Sequence, residues 1–420
     1  MTKNLLAALL TLTTSAALAQ TAETPAAGAT PPAESAPAQS AESSAAQPTE
    51  TPAAPSVDDR LTTTEGKVAA IEEQNIETKT DLSALKKLQF SGYVQARFGA
   101  QQSLDDSGAG GFNRFYIRRS RLKATYTGDV AQYMFQIDAT TSSVSLKDVE
   151  ATLFIPGTKQ RLSLTVGQTK WPFGYEAPQS SSEREFPERS LVVRSFLPGE
   201  RDVGAKFNGR WGVFRLNVGI FNGNGIQNTN FIGTDNDKEK DVVGRAGFDL
   251  GWLSGGVSGW RGLTLGKRTG STPDAFRTAY ARNRIGADAQ VYLDLIPLGG
   301  TAIKAEYIAG KSYQRSGNEI YGTPAGGWWA MVVQNIGLSD ALAVRYDHFD
   351  FENGRKAVEA DGKLGSNNAV GTLGATAIHY FGENLKVSAT YELLSTATAD
   401  SGSVEDPKDN LFTLQFQARF

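Results

Sequence analysis

The sequence lacks cysteine altogether, and only two of its 420 residues are histidine. The absence of cysteine excludes disulfide bonds, thiolate metal sites and a cysteine-linked lipid anchor. The scarcity of histidine argues against a metal centre, and neither His348 nor His379 lies in a recognisable catalytic motif with serine or aspartate. We therefore expect no cofactor, no metal and no enzymatic activity.

Long apolar runs and blocks of basic residues are also missing. Beyond the N-terminus no apolar stretch approaches the roughly 18–20 residues that a membrane-spanning helix needs. The mean hydropathy is −0.32 and the formal net charge is −3. These features argue against a helical membrane bundle and against a nucleic-acid-binding protein, which would carry a basic surface.

The region before residue 88 divides into three segments of different composition. Residues 1–19 predict a secretory signal peptide, because a positive start and an apolar core precede an Ala-Leu-Ala cleavage site. Residues 20–56 are mainly Ala, Pro, Thr, Ser and Glu, and they predict a disordered linker that cannot bury enough apolar surface to fold. Residues 57–87 have heptad spacing and predict a short α-helical coiled coil, with a solitary amphipathic helix as the alternative.

From residue 88 onward the apolar period changes to two and stays so to residue 420. Each alternating segment is about ten residues long, the length of a tilted strand that crosses a bilayer. We count about sixteen such segments, joined by turns and long loops, including one predicted at 314–326. This predicts an antiparallel transmembrane β-barrel over 88–420, with residues 20–87 in the periplasm. A soluble sandwich or lipocalin-like barrel is the alternative, but it would not explain charges in the middle of the polar faces.

The last segment, 410–420, alternates strictly between apolar and polar residues. In a closed barrel this strand must pair with the first, since an unpaired edge cannot lie in lipid. An aromatic residue at the end of such a strand resembles the signal that the barrel-assembly machinery recognises. We therefore predict that Phe416 and Phe420 form an assembly signal.

If the apolar faces contact lipid, the polar faces line a water-filled channel. The predicted pore-lining and anion-guiding residues are Arg97, Arg119, Arg121, Lys123, Arg161, Arg215 and Arg345. Carboxylates on neighbouring strands balance much of this charge, so the wall predicts at most a mild anion preference. The alternative is that these charges mainly pair across strands and hydrate the wall.

The longest predicted loop, 171–200, has no periodicity of its own. Because a loop of this length is uncommon without a function or structure, we expect it to fold into the lumen and narrow it. Its charged side chains would then line the constriction: Glu176, Glu183, Arg184, Glu185, Glu188, Arg189 and Arg194. An outward lid is the alternative.

Three stretches of the chain resemble the phosphate-selective porin O/P family. They are the run RRSRL at 118–122, the run GQTKWPFGYE at 167–176, and ERS at 188–190 followed by PGERDVG at 198–204. The resemblance extends over 88–420. It implies a trimeric sixteen-stranded outer-membrane porin whose third loop folds inward and whose Arg and Lys side chains guide anions.

These patterns predict an outer-membrane porin that forms a water-filled channel for passive diffusion of small hydrophilic solutes or ions, with at most a mild preference for anions such as phosphate. The expected partners are the outer-membrane bilayer, the solutes, two further copies in a homotrimer, and the barrel-assembly machinery. Nucleic acid is not expected. The alternative function is a structural anchor that links the outer membrane to the cell wall through the N-terminal coiled coil.

Overall fold

A computed structural model describes residues 65–75, 86–102, 111–226, 238–267, 276–315, 318–353, 356–358, 364–367, 369–396 and 409–420. The predicted signal peptide and linker lie outside these ranges, as does most of the predicted coiled coil. Residues 65–75 form a helix (α1) with exposed side chains, including Val68 and Ile71 of the predicted seam. The coiled coil stays a prediction. Among the described helices, none combines the length and the apolar character needed to cross a membrane.

Sixteen of the described strands close into one antiparallel barrel, as predicted. In order around the barrel they are β1 (Leu88–Gln101), β2 (Phe112–Thr127), β3 (Ala131–Ala139), β4 (Val144–Phe154), β5 (Leu162–Lys170), β6 (Arg201–Trp211), β7 (Phe214–Phe221), β8 (Asp241–Asp249), β9 (Leu253–Arg261), β12 (Arg284–Ile296), β13 (Gly299–Arg315), β14 (Asn318–Ile336), β15 (Asp340–Asp350), β18 (Ala369–Phe381), β19 (Leu385–Thr396) and β20 (Leu411–Arg419). The sheet closes where β20 pairs with β1, with Tyr93 opposite Arg419.

The connections differ in length between the two ends of the barrel. At the turn end, residues 212–213 join β6 to β7 and residues 337–339 join β14 to β15. At the loop end, β10 (Leu263–Lys267) pairs with β11 (Phe276–Ala281), and β16 (Lys356–Val358) pairs with β17 (Leu364–Asn367). The prediction of a long loop at 314–326 was wrong, because β13 and β14 continue through most of this range as a long hairpin.

Away from the patch that packs against residues 171–200, the inner face of the barrel is largely polar, and the outer face is apolar. On β1 the side chains of Gln95 and Arg97 are buried, whereas Phe90 and Val94 are exposed. Successive residues of a strand point to opposite faces of the sheet, so the alternation in the sequence becomes two chemically different surfaces. An apolar outer surface of this kind is stable against hydrocarbon rather than water.

The main apolar core lies between segment 171–200 and the inner face of the wall. Within that segment Phe173 and Phe196 are fully buried, and Ser190 caps the short helix α2 (Leu191–Phe196). The Phe196 ring packs edge-on against Phe349, with ring centroids 5.6 Å apart, and against Tyr313 at 6.3 Å. The segment therefore lies inside the barrel.

Candidate functional site

Segment 171–200 is fixed to the wall at its start by Glu306 of β13. The Glu306 carboxylate accepts hydrogen bonds from the backbone N–H groups of Tyr175 (3.2 Å) and Glu176 (3.0 Å). The preceding residue, Gly174, has a φ of +66° and donates its own N–H to Ser258 Oγ at 2.9 Å. Only glycine adopts this conformation easily, and it also leaves room for the carboxylate. Residues 174–176, which belong to the stretch that resembles the porin family, thus bind the segment to a carboxylate of the wall.

Glu176 and Arg345 hold the two halves of the segment together. Glu176 Oε2 accepts hydrogen bonds from the N–H (3.0 Å) and the Oγ (2.8 Å) of Ser190, and its Oε1 lies 3.5 Å from Arg345 Nη1. Arg345 also donates to the backbone oxygen of Glu188 at 3.0 Å and packs over the ring of Phe186. The structure therefore gives Arg345, a predicted anion-guiding residue, a role in positioning the segment.

The tip of the segment is also held by lysines of β13 and β19. Lys386 of β19 donates to the backbone oxygens of Ser182 and Arg184, both at 3.0 Å. Lys304 of β13 lies 2.5 Å from Glu185. With anchors on several strands, the segment narrows the lumen rather than hanging freely in it.

Glu188 joins the segment to both β1 and β2. Its carboxylate lies 2.7 Å from Arg97 Nη1, 2.7 Å from Arg118 Nε and 3.6 Å from Arg119 Nη2. Arg97 also donates to the backbone oxygen of Pro187 at 2.8 Å. Burial opposes ionisation of Glu188, but the charges of Arg118, Arg119 and Arg97 outweigh it and hold the pKa of Glu188 well below its ordinary range. The result is an anionic group bound by three guanidinium groups.

A β-bulge brings Arg118 to Glu188. Gln95 of β1 lies opposite Arg119, but the next residue of β1 lies opposite Ile117, so Arg118 has no partner in the pairing. At a bulge the extra residue re-aims its side chain. Strict alternation would point Arg118 toward lipid, and for that reason the sequence did not identify it as a site residue. Its charge could have indicated an inward position, because a charged side chain on a lipid-facing surface is destabilising.

A second charged cluster lies where the segment rejoins the wall. Glu200 contacts Arg189 and, at 2.9 Å, Nη1 of Arg201. Arg201 also makes a two-point contact with Asp148, at 2.7 and 2.9 Å. Burial opposes ionisation of Glu200, but Arg189 and Arg201 lower its pKa to about 2. Arg201, only 1% exposed, was not among the predicted site residues.

Positive charge in this region is only partly compensated. All three nitrogens of the Arg184 guanidinium and Nη1 of Arg119 are buried, and none has a hydrogen-bond partner in the described part of the chain. Buried guanidinium nitrogens are stabilised by a hydrogen-bond acceptor, and an anion is the strongest one. The constriction therefore retains buried guanidinium nitrogens that no described acceptor pairs.

The other predicted wall residues lie outside this cluster. Arg121 pairs with Asp138 at 2.9 Å, and Lys123 lines a cavity of about 340 Å³ beside the tip of the segment. Arg215 donates to backbone oxygens at the turn end of β7. Arg161 lies in the exposed turn before β5, since that strand begins only at Leu162; this corrects its assignment to the barrel wall.

Two residues of the predicted constriction set make fewer contacts than the others. Glu183 is exposed at the tip and lines the same cavity of about 340 Å³. Arg194 is exposed on α2. In the described residues no group of three His, Asp or Glu side chains is arranged to bind a metal ion.

Two lysines lie where two cavities adjoin. The cavity of about 340 Å³ and a second one of about 610 Å³, beside β7 and β8, are both lined by Lys170 and Lys206. Lys206 Nζ donates to Thr169 Oγ1 at 2.8 Å, and Lys170 Nζ donates to the backbone oxygen of Pro178 at 2.7 Å. The cationic character of the lumen thus continues beyond the arginine cluster.

The predicted assembly residues lie on or beside β20. Phe416 is exposed on the apolar outer face. Phe420 exchanges two backbone hydrogen bonds with Gly92, at 3.1 and 3.2 Å, and its ring covers the space that a side chain on Gly92 would need. Their role in assembly stays a prediction.

A closed sixteen-stranded barrel with an apolar outer surface, a charged wall and a segment folded into its lumen has the architecture of a porin. Residues 88–249 match the family described as phosphate-selective porin O and P. The match confirms, over these residues, the resemblance that the motifs predicted, and together with the barrel it supports an outer-membrane channel for solutes.

Solved porin structures share this fold. An anion-selective porin from Comamonas acidovorans has a TM-score of 0.55 and 13% sequence identity, covering 79% of this chain and 99% of that chain. OprB from Pseudomonas putida has a TM-score of 0.56 and 11% identity, covering 81% and 96% respectively. The trimer form of OmpT from Vibrio cholerae has a TM-score of 0.53 and 13% identity, covering 79% and 99%. At these identities the likeness concerns the fold alone. No curated protein sequence matches the chain significantly.

Proposed function

We propose that the protein forms a water-filled channel for passive diffusion of small hydrophilic solutes and ions, with a mild preference for anions. One observation carries this proposal: arginines from the wall and from segment 171–200 converge at the narrowing, where Arg184 and Arg119 keep unpartnered nitrogens. Positive charge in a narrow passage with low-dielectric walls raises the local concentration of anions. Glu188 and Glu200 neutralise part of this charge, which keeps the preference mild.

The comparisons support the proposed preference for anions. The matching family is described by its selectivity for phosphate, and the similar porin from Comamonas acidovorans is described as anion-selective. We therefore infer that small anions, inorganic phosphate among them, are among the solutes that pass.

We further propose that three copies assemble into a trimer and that the turn end of the barrel faces the periplasm together with residues 20–87. A trimer form is described for the similar OmpT structure, and short periplasmic turns are typical of outer-membrane barrels. On this proposal β20 carries the signal for the barrel-assembly machinery. The anchor to the cell wall falls mainly outside the described residues, and no observation on the barrel favours it.

Reversal potentials in planar lipid bilayers test the proposed function. The purified full-length protein is inserted into a bilayer with a salt gradient of KCl, and the current is measured at a series of voltages. We expect ohmic channels whose reversal potential lies modestly toward the chloride equilibrium potential. Absence of conductance would contradict the channel, and a reversal potential on the potassium side would contradict the anion preference.

A further inference from the structure

Glu188 occupies a place that is built like a binding site for a free anion. Two guanidinium nitrogens lie 2.7 Å from its carboxylate and a third lies 3.6 Å away, and they come from two different strands. Charge-assisted contacts of this length are those by which arginine binds carboxylate and phosphate groups. The difference from a ligand site is that the anion belongs to the protein's own segment.

Solvent in the lumen reaches this site. The Glu188 side chain is 26% exposed and that of Arg118 is 37% exposed, whereas Arg97 behind them is almost fully buried. Arg97 thus forms the buried side of the site, whereas Glu188 and Arg118 are accessible to solvent. A mobile anion can approach the same guanidinium groups from the lumen.

Glu188 is not the principal attachment of its segment to the wall. Glu306 holds residues 175–176, Arg345 holds Glu176, and Lys386 holds the tip through two backbone oxygens. These contacts involve β13, β15 and β19 and do not depend on β1 or β2. Neutralising Glu188 should therefore leave the segment in place while releasing the arginines.

We propose that Glu188 is a built-in counter-ion that occupies the channel's anion site and thereby keeps its anion preference weak. This inference rests on the proposed function and adds a specificity-determining residue to it. A permeating anion must compete with the Glu188 carboxylate for Arg97, Arg118 and Arg119. When a site is free for only a fraction of the time, the apparent affinity for a ligand falls by that fraction, so a carboxylate bound for nine-tenths of the time weakens anion binding about tenfold.

The test compares Glu188→Gln with the wild-type protein in planar bilayers. We expect the reversal potential of Glu188→Gln in a KCl gradient to move further toward the chloride equilibrium potential. We also expect inorganic phosphate to block the chloride current of this variant at a concentration roughly tenfold lower than in the wild type.

Glu183→Gln is the matched control. It removes the same charge from the same segment, but Glu183 is exposed and makes no ion pair among the described residues. We expect a smaller shift in reversal potential and no gain in phosphate block. Equal shifts in the two variants would overturn the proposal, because they would show that only the net charge of the lumen matters.

Other outcomes separate this inference from the function on which it rests. A wild-type protein that does not conduct contradicts the proposed function itself. If the wild type conducts but Glu188→Gln has the wild-type reversal potential and phosphate block, only the counter-ion proposal is contradicted. A large rise in the conductance of Glu188→Gln without a change in phosphate block also contradicts it, because that result would assign Glu188 to anchoring the segment. If Glu188→Gln does not fold, Glu188→Asp takes its place, because it keeps the negative charge but has a shorter side chain. We expect Glu188→Asp to show an intermediate gain in phosphate block, and the absence of any gain would overturn the proposal.

Discussion

The Glu306 carboxylate lies in the space that a side chain on residue 174 would fill. Gly174 is part of the motif that resembles the porin family, whereas Glu306 lies on a strand far away in the sequence. The pair explains why the segment turns inward directly after β5: the positive φ of Gly174 aims two backbone N–H groups at one carboxylate. This contact fixes where the narrowing of the lumen begins.

Replacing Gly174 with alanine should loosen the segment and widen the channel. An L-residue in the left-handed region costs about 1–2 kcal/mol, and the added methyl group displaces Glu306 from its two N–H donors. We expect a higher single-channel conductance and a lower unfolding temperature in detergent. Gly157→Ala is the control, because Gly157 has a φ of +78° but open space around it. It should lose stability without any change in conductance, and equal conductance in both variants would contradict the anchoring role.

The barrel could be predicted from sequence because lipid and water impose a period of two on every strand. The same rule failed where the backbone departs from regular pairing. The bulge at Arg118 shifts the register between β1 and β2, and the alternation cannot reveal it. Likewise, Arg161 continues the alternation of β5 by one position, but it lies in the turn.

The contacts within the constriction could not be predicted, because they join residues far apart in the chain. Segment 171–200 was identified by its length and charges, yet nothing in the sequence pairs Glu188 with Arg97 or Glu176 with Arg345. Arg201 was not predicted because it is the first residue of β6, where the sequence pattern does not distinguish the end of a loop from the start of a wall strand. Such pairings depend on how the segment packs in three dimensions.

The contribution of Glu188 to selectivity should persist into mildly acidic solution. Its pKa is lowered from an ordinary value of 4.5, so the carboxylate stays ionised as the pH falls through 4.5 and becomes protonated only well below it. The stability that Glu188 contributes follows the same sign: it is present above the unfolded-state pKa and is lost as the pH falls through the folded-state value. We expect the difference in reversal potential between the wild type and Glu188→Gln to be constant from about pH 7 to 4.5. A difference that halves near pH 6 would contradict this assignment.

Replacing Arg201 with glutamine should strongly destabilise the barrel. The substitution leaves Asp148 buried without its two-point partner, and breaking a buried ion pair from one side costs about 3–5 kcal/mol. Thermal unfolding in detergent measures the loss. Adding Asp148→Asn should recover part of it, because the orphaned charge is then removed. Arg215→Gln is the control: its contact with Asp249 is longer, at 3.5 Å, and partly exposed, so a change of about 0–1 kcal/mol is expected.

Replacing Phe196 with alanine should release α2 from the wall without altering the strands. The Phe196 ring is fully buried between Phe349 and Tyr313, and truncating a buried phenylalanine costs about 3–5 kcal/mol. Because this packing belongs to the segment and not to the sheet, we expect noisier and larger single-channel currents while the β-sheet content by circular dichroism is unchanged. Leu338→Ala, at a fully exposed turn position, should change neither quantity. Quiet, wild-type currents from Phe196→Ala would show that the polar anchors at Glu306 and Arg345 suffice to hold the segment.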